Sequence, residues 1–119
     1  MVLELRKAAA VALLIAAASV FWSNAVAAFG YNDVNGRWCT AGGQTEFTPQ
    51  YLKILRYSDN ARFDFPITRY EFSEQEVTVF WVRADGSQTT TIYGRFSGDG
   101  QTMVQLPTAQ FGERAHTRC

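Results

Sequence analysis

The chain has 119 residues, 11 of them basic and 11 acidic, so its formal net charge is zero. Interspersed charges of both signs provide no basic field for a phosphate backbone or an anionic membrane, which disfavours nucleic-acid binding. The length suits one small domain and excludes a multidomain enzyme.

Residues 1–27 have the pattern of a secretory signal peptide. Arg6 and Lys7 form a positive start, residues 8–20 are an alanine-rich apolar run, and residues 25–27 (Ala-Val-Ala) match a cleavage site. The apolar stretch is about 15 residues long, whereas a membrane-spanning helix needs roughly 20. We therefore expect cleavage after residue 27, no stable membrane anchor and a periplasmic or secreted protein. An uncleaved anchor is the alternative interpretation.

The chain's two cysteines lie near opposite ends of residues 28–119, which we expect to form a single domain. In an oxidising compartment Cys39 and Cys119 have one intramolecular pairing open to them, which would join the first and last strands. On the chain-entropy model, closing a loop of about 80 residues would stabilise the fold by roughly 4–5 kcal/mol. Two free thiols and an intermolecular bridge are the alternatives.

After a short flexible segment that ends at residue 35, the chain reads as strands and turns throughout. Strand-prone runs recur at about 8–12-residue spacing, which is typical of an all-β sandwich or barrel. Asp85-Gly86 predicts a tight hairpin. Pro66 interrupts a long extended stretch and indicates an edge, a bulge or two strands. We expect an all-β fold, a small antiparallel up-and-down barrel of about eight strands closed by one disulfide.

One predicted strand, residues 77–82, is apolar on both faces. Val79 and Trp81 lie on one side, whereas Phe80 and Val82 lie on the other. A strand of this kind is covered on both faces. The second face must therefore be covered by a loop, a dimer partner or a ligand.

Gly36-Arg37-Trp38 on the first strand, together with Arg118 on the last, resembles the lipocalin-like (calycin) arrangement. In that family a Gly-x-Trp opens the barrel and an arginine of the final strand packs over the Trp, because a guanidinium stacks well on an indole. The resemblance implies a small bacterial lipocalin-like or avidin-like barrel. Trp38, Cys39, Arg118 and Cys119 would then be structural, with Arg114 as the alternative partner of Trp38.

The plan of the chain is also similar to that of small periplasmic lysozyme inhibitors, which combine a signal peptide, a barrel and a terminal disulfide. The Ser-Gly-x-x-Tyr loop of those inhibitors is absent, since Ser97-Gly98 matches only its first two positions.

His116 is the chain's single histidine, and it shares one strand face with Arg114 and Arg118. With both cysteines assigned to the disulfide it has no evident nucleophile to activate, so we expect a structural or surface role. One histidine and two bonded cysteines cannot build a closed zinc site, so no metal or cofactor is predicted.

Four further charged residues are interpreted as solvent-exposed. Glu71, Glu74 and Glu76 surround one predicted turn, where a solvated corner is a simpler reading than an acid–base pair. Lys53 alternates with apolar neighbours and is expected on the solvent face rather than in a Schiff-base pocket.

These observations predict an exported, non-enzymatic binding module. Tyr70, Phe80, Trp81 and Tyr93 are the candidate ligand-binding residues, at the barrel mouth or on an outer aromatic face. The candidate partners are a small apolar ligand, an envelope protein or, through the outer aromatic face, a second copy of the chain. The alternative is a periplasmic protein-interaction module, such as a lysozyme-inhibitor-like protein or an envelope-complex subunit. A hollow barrel would favour a small ligand, and a filled one a surface interaction.

Overall fold

The computed structural model describes residues 29–119 and shows a closed barrel of eight antiparallel strands. Each strand pairs with its neighbours in sequence, and the last strand pairs with the first. A one-turn helix α1 (Tyr31–Val34) precedes β1 (Gly36–Cys39), β2 (Gly43–Phe47), β3 (Tyr51–Arg56), β4 (Ala61–Ser73), β5 (Glu76–Val82), β6 (Gln88–Gly94), β7 (Thr102–Gln105) and β8 (Arg114–Arg118). The predicted all-β up-and-down barrel is confirmed.

The predicted signal peptide, residues 1–27, lies outside the residues that the structure describes. Within residues 29–119, no helix is long and apolar enough to cross a membrane.

Strand alternation places one face of each strand in the barrel interior. In β5, Val77, Val79 and Trp81 are buried, while the residues between them are half-buried on the outer face. The predicted hairpin that joins β5 to β6 is present, and Gly86 has the positive φ of 86° that such a turn requires.

β4 is one 13-residue strand whose pairing with β5 shifts between Ile67 and Arg69. Pro66 pairs with Tyr51 directly before this shift. β4 has partners on both sides, so of the three alternatives at Pro66 the bulge is the one present.

The barrel is closed at one end, here called the floor, by α1 and Trp38. Sequence reasoning expected a flexible segment before residue 36, but α1 packs under the barrel and Val34 is fully buried. The buried indole N–H of Trp38 donates a hydrogen bond to the Val34 carbonyl at 2.8 Å. A buried donor needs a hydrogen-bond partner. The indole N–H of Trp38 has one because α1 holds the Val34 carbonyl in place.

Arg118 completes the floor from β8. Its guanidinium lies 3.9 Å from the centre of the Trp38 ring and donates hydrogen bonds to the carbonyls of Asp33 and Asn35. Gly36 has a φ of 90°, and a Cβ there would lie 3.2 Å from Arg118 Nη1. Only glycine fits this position without strain.

The disulfide predicted from the sequence is confirmed. Cys39 and Cys119 are bonded, with their Cα atoms 5.1 Å apart across 80 positions of sequence. β1 and β8 share only two residue pairs, Trp38 with Arg118 and Cys39 with Thr117, as few as β6 and β7 share, so the bond reinforces one of the two shortest seams of the barrel.

The outer apolar face of β5 is covered within the chain. The Arg69 guanidinium lies 3.9 Å from the centre of the Phe80 ring and pairs with Glu71 at 3.0 Å. At Phe80 the cover is an arginine of the neighbouring strand, which the sequence analysis did not suggest. Lys53 lies on the solvent side, 4.0 Å from Asp64.

Candidate ligand-binding site

A cavity of about 1150 Å³ lies at the end of the barrel opposite the floor. It lies between the turns that follow β1 and β3 and the beginning of β8, and it is called the mouth cavity below. Its inner wall includes Thr45, Ile54, Phe63, Phe65 and Arg114. Most of this wall is apolar, because inward positions of β3 and β4 carry Ile54, Phe63 and Phe65.

The wall of the mouth cavity is shaped by close backbone packing at its rim. A Cβ at Gly43 would lie 2.1 Å from the Leu55 carbonyl oxygen, so β2 and β3 approach each other more closely than a side chain allows. Across the wall, Ile54 pairs with Phe63, and the rings of Phe63 and Phe65 lie parallel with centres 6.0 Å apart.

The loop of residues 106–113 covers the other half of this barrel end. Gln110 accepts a hydrogen bond from the Thr89 hydroxyl at 2.7 Å, and the Phe111 ring lies 6.1 Å from Trp81. The Trp81 ring also contacts Phe65, with centres 4.9 Å apart. Trp81 therefore lies directly behind the wall of the mouth cavity rather than open to solvent.

The charged groups around the mouth cavity are paired, with one exception. Arg56 binds Asp59 through two hydrogen bonds of 2.7 and 3.0 Å, which lower the pKa of Asp59 to about 2. Glu113 accepts a hydrogen bond from Arg95 at 2.7 Å. Arg114 forms no ion pair with any residue in the range 29–119.

The barrel interior behind the cavity contains a buried polar layer. His116 is 2 % exposed and its ring lies edge-on to Tyr93 at 5.7 Å. Burial, reinforced by the charge of Arg114, lowers the pKa of His116 to about 4, so the ring is neutral at pH 7. Burial raises the pKa of Tyr93 to about 12.

Four buried polar atoms in this layer have no hydrogen-bond partner among the described residues. They are Trp81 Nε1, Thr91 Oγ1 and both ring nitrogens of His116. Each such atom costs about 1–3 kcal/mol of folding free energy when it is left unpaired. Close packing of the core alone therefore does not explain why these polar groups lie in the interior.

The four ligand-binding residues predicted from the sequence do not form one surface. Trp81 and Tyr93 are buried inside the barrel, and Phe80 lies on its outer face under Arg69. Tyr70 is half-buried toward the floor, where its hydroxyl donates to the Thr48 carbonyl at 2.6 Å and burial raises its pKa. Of the four, Trp81 lies closest to the mouth cavity, through its contact with Phe65.

Sequence reasoning did not single out the residues that line the mouth cavity. The alternation around Phe63 and Phe65 was a signal for their shared face, but nothing in it indicates that this end of the barrel stays open. Arg114 was considered only as a partner for Trp38, a position that Arg118 occupies.

The remaining candidates for chemistry are dispersed. Glu71 is paired with Arg69, and Glu74 and Glu76 are exposed at the turn between β4 and β5. Within residues 29–119, no group of three or more His, Cys, Asp or Glu side chains is arranged to hold a metal ion.

Comparison with protein-family models, curated proteins and solved structures finds no match to this chain. The closed eight-stranded barrel is consistent with the lipocalin-like resemblance of Gly36-x-Trp38 and Arg118, without assigning the chain to that family.

Proposed function

We propose that residues 28–119 are an exported, non-enzymatic binding module that holds a small, largely apolar ligand in the mouth cavity. The observation that carries this proposal is the cavity itself, about 1150 Å³ in volume and walled by Ile54, Phe63 and Phe65. Small-molecule sites are typically concave, mostly apolar and roughly 300–1,000 Å³ in volume. The cavity is large enough for such a ligand.

The non-enzymatic part of the proposal is supported by the surroundings of the reactive side chains. Cys39 and Cys119 are joined in a disulfide, and the buried ring of His116 makes no hydrogen bond to any described residue. General-base catalysis needs the base within hydrogen-bond reach of the proton it removes, and a ring that is 2 % exposed offers a substrate little access. The export part is supported by the pattern of residues 1–27 and by the disulfide, which is typical of an oxidising compartment.

The test is a titration with N-phenyl-1-naphthylamine, a neutral apolar fluorophore that brightens in apolar sites. We expect saturable binding by the wild-type domain and at least a tenfold weaker affinity in Ile54→Trp, because the indole fills the cavity. Tyr51→Trp is the matched control, since it adds the same group to the exposed start of β3, where Tyr51 is 42 % exposed. No saturable binding, or equal binding by Ile54→Trp, would refute the proposal.

A protein-directed module is the second candidate function. Tyr51, on the outer side of the start of β3, and Tyr57, which follows β3 at the rim of the mouth cavity, are 42 % and 43 % exposed, and tyrosine is enriched at protein interfaces. The discriminating experiment is a pulldown from envelope extract with wild type and a Tyr51→Ser variant, because Tyr51, unlike Tyr57, does not line the mouth cavity. A stoichiometric partner lost in the variant favours this function. A homodimer through Phe80 would first have to displace Arg69.

A further inference from the structure

We propose that the ligand of the mouth cavity is an amphipathic organic anion whose charged group binds Arg114. This inference rests on the proposed function and specifies the chemistry of the ligand. It concerns one side chain that the fold leaves in an unusual position, at the point where an apolar wall meets solvent.

Arg114 begins β8 and pairs with Gln105 of β7. It lies on the same strand face as His116, which is buried in the interior, and Arg118, which covers Trp38. The three residues therefore occupy the mouth, the middle and the floor along one inner face of β8. Arg118 and His116 are fixed by packing, whereas Arg114 lines the cavity.

Arg114 is a cation of the cavity wall whose charge is not balanced by an ion pair with any carboxylate among residues 29–119. Glu113, the adjacent acidic residue, is engaged by Arg95 at 2.7 Å, and the carboxylate of Asp59 is engaged by Arg56. The field of Arg114 reaches into the barrel, where it lowers the pKa of His116 and opposes the rise in the pKa of Tyr93. A positive potential at the rim of a low-dielectric cavity favours an anion.

The rest of the cavity requires the ligand to be apolar. Phe63 and Phe65 present a continuous aromatic surface, and Ile54 extends it on the neighbouring strand. A small hydrophilic anion would leave this surface wet, whereas an alkyl or aryl chain would bury it at about 25 cal/mol per Å². A carboxylate or sulfate carried by such a chain matches both parts of the cavity, because a guanidinium can donate two parallel hydrogen bonds to two oxygens of a carboxylate or of a tetrahedral oxyanion.

The experiment measures how well decanoate, decanol and decyltrimethylammonium displace bound N-phenyl-1-naphthylamine. The three probes differ in head charge and nearly match in chain length: decanol and decyltrimethylammonium carry ten alkyl carbons and decanoate nine. The extra methylene favours decanol by about 0.8 kcal/mol, so a preference for decanoate must come from its charge. In the wild type we expect decanoate to bind about tenfold more tightly than decanol, and decyltrimethylammonium to bind most weakly. Arg114→Gln should remove the preference for decanoate and leave decanol unchanged, and Arg114→Lys should restore part of it.

Arg62→Gln is the matched control. Arg62 is an exposed arginine on the outer face of β4, with no ion pair among the described residues, and it does not line the mouth cavity. We expect this variant to keep the wild-type preference. As a second readout, decanoate should shift the NMR signals of His116, the chain's single histidine, in the wild type and not in Arg114→Gln.

The outcomes separate the two proposals. Equal displacement by decanoate and decanol, or an unchanged preference in Arg114→Gln, overturns the anion inference while ligand binding in the cavity stands. If the fluorophore does not bind at all, the proposed function itself fails. Circular dichroism and the thermal midpoint of each variant check that altered binding does not come from unfolding.

Discussion

At the scale of single residues, the floor of the barrel depends on a three-part contact between Gly36, Trp38 and Arg118. The guanidinium carbon of Arg118 lies 3.9 Å from the centre of the Trp38 ring. Its N–H groups donate hydrogen bonds to the carbonyls of Asp33 and Asn35. Gly36 leaves room for the guanidinium. One side chain thus satisfies two backbone acceptors and covers an aromatic core residue.

Replacing Arg118 should therefore destabilise the domain. We expect Arg118→Ala to lower the free energy of unfolding by about 2 kcal/mol, through two unpaired carbonyls and the lost cation–π contact. Urea unfolding of the variant measures this directly. Arg62→Ala, at an exposed outer position, should change the value by no more than about 0.5 kcal/mol. Equal effects of the two substitutions would mean that the floor contact does not stabilise the fold.

At the scale of elements, the seam between β1 and β8 is one of the two shortest pairings of the closed barrel, with β6–β7 the other. It has two residue pairs, whereas β5 and β6 share six. The disulfide lies at this seam and spans 80 positions of sequence, so its entropic effect on the unfolded chain is large.

Removing the disulfide should be the most destabilising change at this scale. We expect Cys39→Ala/Cys119→Ala to lose about 4 kcal/mol of unfolding free energy in denaturant titrations. Reduction of the wild type should reproduce this loss, whereas treatment of the double variant with the same reductant should change nothing. A reduced wild type as stable as the oxidised protein would show that strand pairing alone closes the seam.

The elements also show what the sequence could and could not predict. The hairpin at Asp85-Gly86, the inward face of β5 and the terminal disulfide follow from local patterns, namely turn chemistry, period two and cysteine count. α1 was not predicted, because a four-residue helix has no period of its own and is held by Trp38 and Arg118. The mouth cavity depends on how loops from distant strands meet, and no local pattern encodes that.

At the scale of the whole molecule, the barrel interior is mostly apolar and encloses a few polar side chains. Phe47, Val77 and Met103 are among its buried apolar residues. His116 is buried among them, paired with Met103 on the neighbouring strand and edge-on to the Tyr93 ring. Global stability should therefore depend on the protonation of His116.

His116 has a pKa of about 4 in the folded protein, whereas an unperturbed histidine has a pKa of 6.5. The unfolded chain therefore binds this proton first as the pH falls, and the unfolding free energy should drop between about pH 6.5 and pH 4. The total loss of unfolding free energy is roughly 3 kcal/mol. Above pH 6.5 the contribution of His116 to stability no longer changes with pH. Arg114, the charged group acting on the ring, stays cationic throughout and adds to the effect.

Urea unfolding at half-unit pH intervals measures how the unfolding free energy depends on pH. His116→Leu is the control, because it keeps a buried side chain of similar size without a titrating group. The variant should lose the slope between pH 6.5 and pH 4.5, where the exposed Asp59, Asp85 and Asp99, whose pKa values are lowered, stay ionised. Wild-type stability that is constant over this window would contradict a neutral, buried His116.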